Sequence, residues 1–167
     1  MSKNLNQQER NSNPLRILLK IPVPWVFVLG YLAGLIPQFI FPVAIYSKAV
    51  LSVIKIIGVS FFLIGALIAS WSLIIFRKAR TTTTPGESSN KLVISGPYRY
   101  SRNPMYVSLT LAYLGEAGLL VQFWPIISLI LVLIYINWTV IPLEEEVLKG
   151  DYREEYTKYC ASVRRWL

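Results

Sequence analysis

Two clusters of polar side chains stand at the edges of long apolar runs, and they are the residues equipped for chemistry. The first is the segment 96–106, which reads Gly-Pro-Tyr-Arg-Tyr-Ser-Arg-Asn-Pro-Met-Tyr. Arg99 and Arg102 can pair with a carboxylate or phosphate, while Tyr98, Tyr100 and Tyr106 can stack on a base or sit at a lipid interface. Pro104 suits the first turn of a helix, where a missing N–H costs nothing, and such a helix start favours an anionic group. The same residues also describe an aromatic and basic belt anchoring a membrane span. The second cluster is Glu144-Glu145-Glu146. These glutamates can accept hydrogen bonds from an amine or a ribose, or balance Arg99 and Arg102. They equally suit the solvated first turn of a helix, where acidic residues are favourable. Successive helical residues turn by ~100°, so the three glutamates face three ways and at most two can serve one site. Glu116, inside an apolar run, reads as a partner for a neighbouring helix or a residue near the far interface.

The elements that must position these clusters are membrane helices. Of the 167 residues, 54% are hydrophobic, and the mean hydropathy of +0.47 exceeds that of a usual soluble domain. Four apolar segments, at 22–46, 51–76, 105–121 and 123–141, approach or exceed the ~20 residues that cross ~30 Å of hydrocarbon. The expectation is an all-α, multi-pass membrane protein: a tail over 1–20, then one domain over 21–167 with four spans and a last helix over 143–163. Charge supports both termini on the cytoplasmic side, since 15 of the 17 basic residues flank one face of these spans. That topology, with attraction to anionic headgroups, accounts for the net charge of +8 without nucleic acid.

Within the spans, Pro22, Pro24, Pro37 and Pro42 predict that the first is bent or ends in a broken turn near Pro37. Gly58, Gly65, Ala66, Ala69 and Ser70 predict close helix packing on the second. The polar stretch 77–95 has turn chemistry at Pro85-Gly86 and reads either as a functional loop or as a solvated linker. A short link near Gln122 makes the third and fourth spans an antiparallel hairpin. Leu148, Tyr152, Tyr156, Tyr159 and Val163 recur at spacings of three and four, a stripe with which the last helix folds onto the membrane surface or onto the loop before the third span. Glu154, Glu155, Lys158 and Arg165 lie off that stripe. No secretory signal is expected in 1–20. With no histidine and only Cys160, an all-cysteine metal site, histidine-dependent proteases, zinc hydrolases, haem-binding bundles and an intrachain disulfide framework are excluded, and no metal is expected.

Taken in order, the two clusters resemble a known pattern. The segment 96–106 is similar to the signature G-P-Y-R-Y-x-R-H-P-x-Y of the isoprenylcysteine carboxyl methyltransferase and phospholipid methyltransferase superfamily. Glu144, Glu145, Leu148, Tyr152, Tyr156 and Tyr159 resemble its second motif, and together the two cover about the C-terminal half. The resemblance implies an integral membrane enzyme using S-adenosyl-L-methionine, bound in a cytoplasmic-side pocket between the last spans, the loop before them and the C-terminal helix. Carried over by position, Tyr98, Arg99, Arg102, Asn103, Pro104 and Tyr106 line the cofactor on one side and Glu144 and Glu145 on the other, with Arg102, Asn103 and Glu145 at the catalytic centre.

The acceptor implied is a lipophilic small molecule, a lipid or a prenylated group that meets the cofactor from the bilayer. Methyl transfer from an activated sulfonium gains mainly from alignment, so the lack of histidine is no objection. Two positions depart from the pattern. Asn103 stands where the signature often has histidine. Val140 stands where isoprenylcysteine methyltransferases carry an arginine, which weakens the case for a prenylcysteine carboxylate as acceptor. The alternatives are such a protein-S-isoprenylcysteine carboxyl O-methyltransferase and a non-catalytic membrane scaffold. The oligomeric state is not legible.

Overall fold

The computed structural model describes residues 22–43, 47–79 and 92–167. The tail over 1–20 and the turn at Pro85-Gly86 lie outside the described residues. The regular elements among those described are all helical, with no strand. Helix α1 runs Val23–Ile40, α2 Lys48–Ala79, α3 Pro104–Leu119, α4 Trp124–Tyr135 and α5 Ile141–Ser162; a 3-10 turn spans Gly96–Arg99 and a π turn Ile136–Val140.

Prolines mark both ends of α1. Pro22 and Pro24 stand at its start, and the helix stops soon after Pro37, whose carbonyl accepts from the Phe41 N–H at 2.8 Å. Its apolar side packs antiparallel on α4. Ser128 Oγ donates to the Gly30 carbonyl at 2.9 Å, and Tyr31 donates to Gln122 Oε1 at 2.7 Å. Phe27 and Tyr31 meet Tyr113 of α3 edge-on, so one core joins α1, α3 and α4.

Helix α2 pairs antiparallel with α3 along a seam of glycines. A Cβ on Gly115 would stand 2.5 Å from the Phe62 nitrogen, and one on Gly58 2.5 Å from that of Leu119. Only hydrogen at both positions lets the two backbones come this close. Of the small residues predicted to pack, Gly58 and Gly65 are buried here and Ala69 is half-buried, whereas Ala66 and Ser70 are exposed. A five-residue step to Ser70 turns it well off the line of Gly65.

Three helical stretches are long and apolar enough to span a membrane: Val23–Ile40, Lys48–Lys78 and the rod beginning at Trp124. The predicted third span is shorter, since α3 has 16 residues, about 24 Å at the usual rise. The predicted separation of a fourth span ending at 141 from a helix starting at 143 is not seen. The chain runs through Pro142 as one rod, because the π turn before it supplies a wider i→i+5 bond from the Ile141 N–H to the Ile136 carbonyl. The break comes later, at Arg153, whose φ of 45° and ψ of −110° end one helical stretch and start another.

Candidate functional site

The segment before α3 is set by Gly96. Its φ of +62° is a left-handed conformation, and a Cβ there would meet Ile75 at 2.9 Å, so glycine both makes the turn and fits it against α2. Tyr98 is thereby buried, with its ring edge-on to Phe76 at 5.3 Å. Burial raises the Tyr98 pKa, and the nearby Tyr159 and Glu144 add to the rise; the phenol therefore stays a donor at every physiological pH.

Beyond the Arg153 break, α5 folds back onto this segment. Tyr159 donates to the Tyr98 carbonyl at 2.7 Å, and Leu92 packs with Tyr156 and Tyr159. Leu148, Tyr152 and Val163 complete that cluster, so the predicted stripe is gathered in one place. After Ser162 the chain leaves the helix, and its extended end runs back along residues 101–103. The Arg102 N–H donates to the Arg164 carbonyl at 2.9 Å, and Asn103 Nδ2 donates to the Arg165 carbonyl at 2.9 Å.

The two predicted clusters meet through Glu145. Its Oε1 pairs with Arg102 Nη1 at 3.0 Å, and Arg165 grips the same carboxylate with two bonds, Nε to Oε1 at 3.1 Å and Nη2 to Oε2 at 2.8 Å. The Arg102 and Glu145 side chains are only 15% and 11% exposed. Burial acts to lower the Arg102 pKa, but the facing Glu145 and the Cys160 sulfur, 2.7 Å from Nη1, outweigh it and the net shift is upward. One buried donor, Arg102 Nε, has no partner among the described residues. Beside this cluster Tyr106 donates to Glu144 Oε1 at 2.6 Å. Glu144 lies past the apolar stretch of the rod, and burial together with neighbouring Glu145 pushes its pKa up to about 7 despite the Tyr106 bond.

Six of the residues singled out in the sequence thus share one region: Tyr98, Arg102, Asn103, Tyr106, Glu144 and Glu145. Pro104 is buried at the first turn of α3. Arg99 is exposed and takes no part in these bonds. Among the three glutamates, Glu145 is buried, Glu144 half-buried and Glu146 exposed, the fan expected of consecutive helical positions.

The sequence model of the phospholipid methyltransferase family matches residues 53–155, well over half of the chain. The chain belongs to that family. No curated protein and no solved structure matches it. Family membership and three long apolar helices make this an integral membrane protein of methyltransferase type. The matched region holds both clusters and stops short of Tyr156, Tyr159, Cys160 and Arg165. Arg165 and Asn137 were not among the residues picked from the sequence. Asn137 Oδ1 accepts from Trp166 Nε1 at 3.0 Å, which ties the chain end to the π turn. Neither position carries a periodic signal; the only hint at 165 was that it lay off the apolar stripe.

The residues present suit the cofactor of methyltransferases. S-adenosyl-L-methionine carries a carboxylate, an ammonium, ribose hydroxyls, an aromatic base and a sulfonium. The orphaned donor Arg102 Nε could hold an anion, the Glu144 and Glu145 carboxylates could hold the cation and the hydroxyls, and the tyrosine rings could meet base and sulfonium.

Proposed function

We propose that this phospholipid methyltransferase family member is an S-adenosyl-L-methionine-dependent enzyme that methylates a lipophilic acceptor at the cytoplasmic membrane interface. The observation that carries the reading is the ion pair of Arg102 and Glu145, which joins the two sequence clusters in a chain of this family. When bound, the cofactor supplies an activated methyl group on sulfur. Arg102 would hold its carboxylate, and Glu144 and Glu145 its amine and ribose. Asn103 would donate a hydrogen bond in place of the signature's histidine, and Tyr98 and Tyr106 would line the pocket beside Pro104. The work of these side chains is to orient the donor and exclude water, because alignment is most of what such a displacement asks of a protein.

The basic flanks support a topology with both termini in the cytoplasm. That topology needs an even number of crossings, so α3 would be the fourth span, its shortness offset by local thinning of the bilayer or by flanking side chains. Val140 is buried in the helical core, and no arginine stands there for a prenylcysteine carboxylate. A neutral or amine-bearing lipid acceptor is therefore favoured.

The test is calorimetry and thermal stabilisation with S-adenosylhomocysteine on the detergent-solubilised protein. Saturable binding is expected, and no heat at millimolar ligand would overturn the assignment in favour of a scaffold. Labelled methyl transfer into a lipid extract, compared with a farnesylcysteine analogue, then identifies the acceptor class; label appearing mainly in the analogue would overturn the lipid reading.

A further inference from the structure

The extended chain end over 163–167 is fastened to the site by bonds that do not involve the Arg165 side chain. The Arg102 N–H holds the Arg164 carbonyl, Asn103 Nδ2 and Ser101 Oγ hold the Arg165 carbonyl, the latter at 3.3 Å, and the Trp166 indole holds Asn137. The backbone of residue 165 is thus fixed from two sides, and its guanidinium is delivered to Glu145 on a short tether. The close Arg102 contact is with Oε1 of Glu145, at 3.0 Å. The last torsion of a glutamate is broad, so a single contact at one oxygen leaves the carboxylate plane free to turn. The Arg165 fork engages both oxygens and removes that freedom. Charge neutrality is not the reason for the second arginine, because Arg102 already balances Glu145. Two guanidiniums on one carboxylate leave the cluster with a net positive charge, which suits an anionic ligand group beside it.

We infer that Arg165 is a positioning residue that sets the Glu145 carboxylate for the cofactor, and that docking of the chain end 163–167 completes the site. The inference rests on the methyltransferase reading above. Arg165 acts through Glu145 and needs no contact with the ligand itself.

The experiment is a double-mutant cycle on S-adenosylhomocysteine affinity, by calorimetry on the full chain in detergent. Arg165→Met is expected to weaken binding by about tenfold or more, the scale of losing hydrogen bonds to a charged group. Arg165→Lys, which keeps the charge but not the fork, is expected to recover part of that loss. In a Glu145→Gln background, Arg165→Met is expected to add little, because the group it positions is already gone. Wild-type affinity in Arg165→Met overturns the inference, and so does a full additive loss on top of Glu145→Gln, which makes Arg165 a separate contact or plain scaffold. Both results leave the methyltransferase reading standing. A wild-type chain that binds no S-adenosylhomocysteine overturns that reading and this inference with it. Should Arg165→Met not fold, Arg165→Lys decides alone: undiminished affinity shows that the fork is not needed.

Discussion

The bundle is tied at both ends by polar side chains, but in two different ways. At the end where α3 turns into α4, the ties are neutral. Gln38 Oε1 accepts from the N–H groups of Phe123 and Trp124 at 3.0 and 3.2 Å, the Trp124 indole donates to the Phe41 carbonyl at 2.7 Å, and Tyr31 donates to Gln122. These bonds satisfy the opening N–H groups of a helix and fasten α1 to it, which is all that a structural seam requires. At the other end, two guanidiniums converge on one buried carboxylate, a second carboxylate is held by a tyrosine, and one buried donor is left over. Removing charges from water costs several kcal/mol per ion, so packing alone would be served better by neutral groups. The difference teaches where to look: the ties at one end are neutral, and at the other a buried carboxylate is held by two arginines beside a donor with no partner among the described residues.

The sharpest way to break this comparison is to remove Glu145. Glu145→Ala leaves Arg102 and Arg165 facing each other without a counterion, a change on the order of 3–5 kcal/mol when a buried pair loses one partner. Loss of S-adenosylhomocysteine binding is expected, with a large drop in the thermal midpoint in detergent. Glu145→Gln, which keeps shape and one acceptor, is expected to restore much of the midpoint and to bind measurably, though more weakly than wild type. If both variants bound the ligand as wild type does, the charged end would be structural like the other.

How much of this was legible beforehand depends on distance along the chain. The 96–106 segment and the Glu144-Glu145 pair are each local in sequence, so residue types and spacing exposed them, while helix geometry said only that at most two of the three glutamates could serve one site; the structure singles out Glu145 as the buried one. The long apolar runs were legible because hydropathy is a sum over many residues; the run over 105–121 is the shortest of the four, and its helix is not among the three long enough to span. Other features had no local signature. Arg165 reaches the site only because the chain reverses after Ser162, and Asn137 joins it through a π turn, where the helical period used to read faces no longer holds. The break in α5 falls at Arg153, with neither glycine nor proline at that residue to announce it. Arg99 looked like a twin of Arg102, but they are three residues apart across the end of a tight turn, and only the second points to Glu145.

A milder change tests the neutral end. Gln38→Ala deprives the Phe123 and Trp124 N–H groups of their acceptor. Unsatisfied backbone donors cost about 1–3 kcal/mol, and Phe123 is exposed enough for water to replace part of the bond. A thermal midpoint lowered by a few degrees is expected, with S-adenosylhomocysteine affinity unchanged. Weakened binding in Gln38→Ala with an undisturbed midpoint would erase the contrast between the two ends.

The last test is the pH dependence carried by Glu144. Its pKa in the folded chain, pushed to about 7 by burial first and by Glu145 next, lies above the ordinary 4.5. Between those values the folded chain binds a proton that the unfolded chain has released, so stability falls as pH rises through this window and levels off above it. Binding of a cationic group runs the other way. It needs the carboxylate ionised, so affinity for the positively charged S-adenosyl-L-methionine is expected to strengthen as pH passes 7. The Tyr106 hydrogen bond acts to lower the Glu144 pKa, and Tyr106→Phe should therefore move both steps to higher pH. Glu144→Gln should flatten both. Thermal midpoints and calorimetric affinities from pH 5 to about 8.5, the span that brackets the raised carboxylate, separate these outcomes. An undiminished step in Glu144→Gln would assign the titration to another group and leave Glu144 as one more neutral tie of the kind found at the far end.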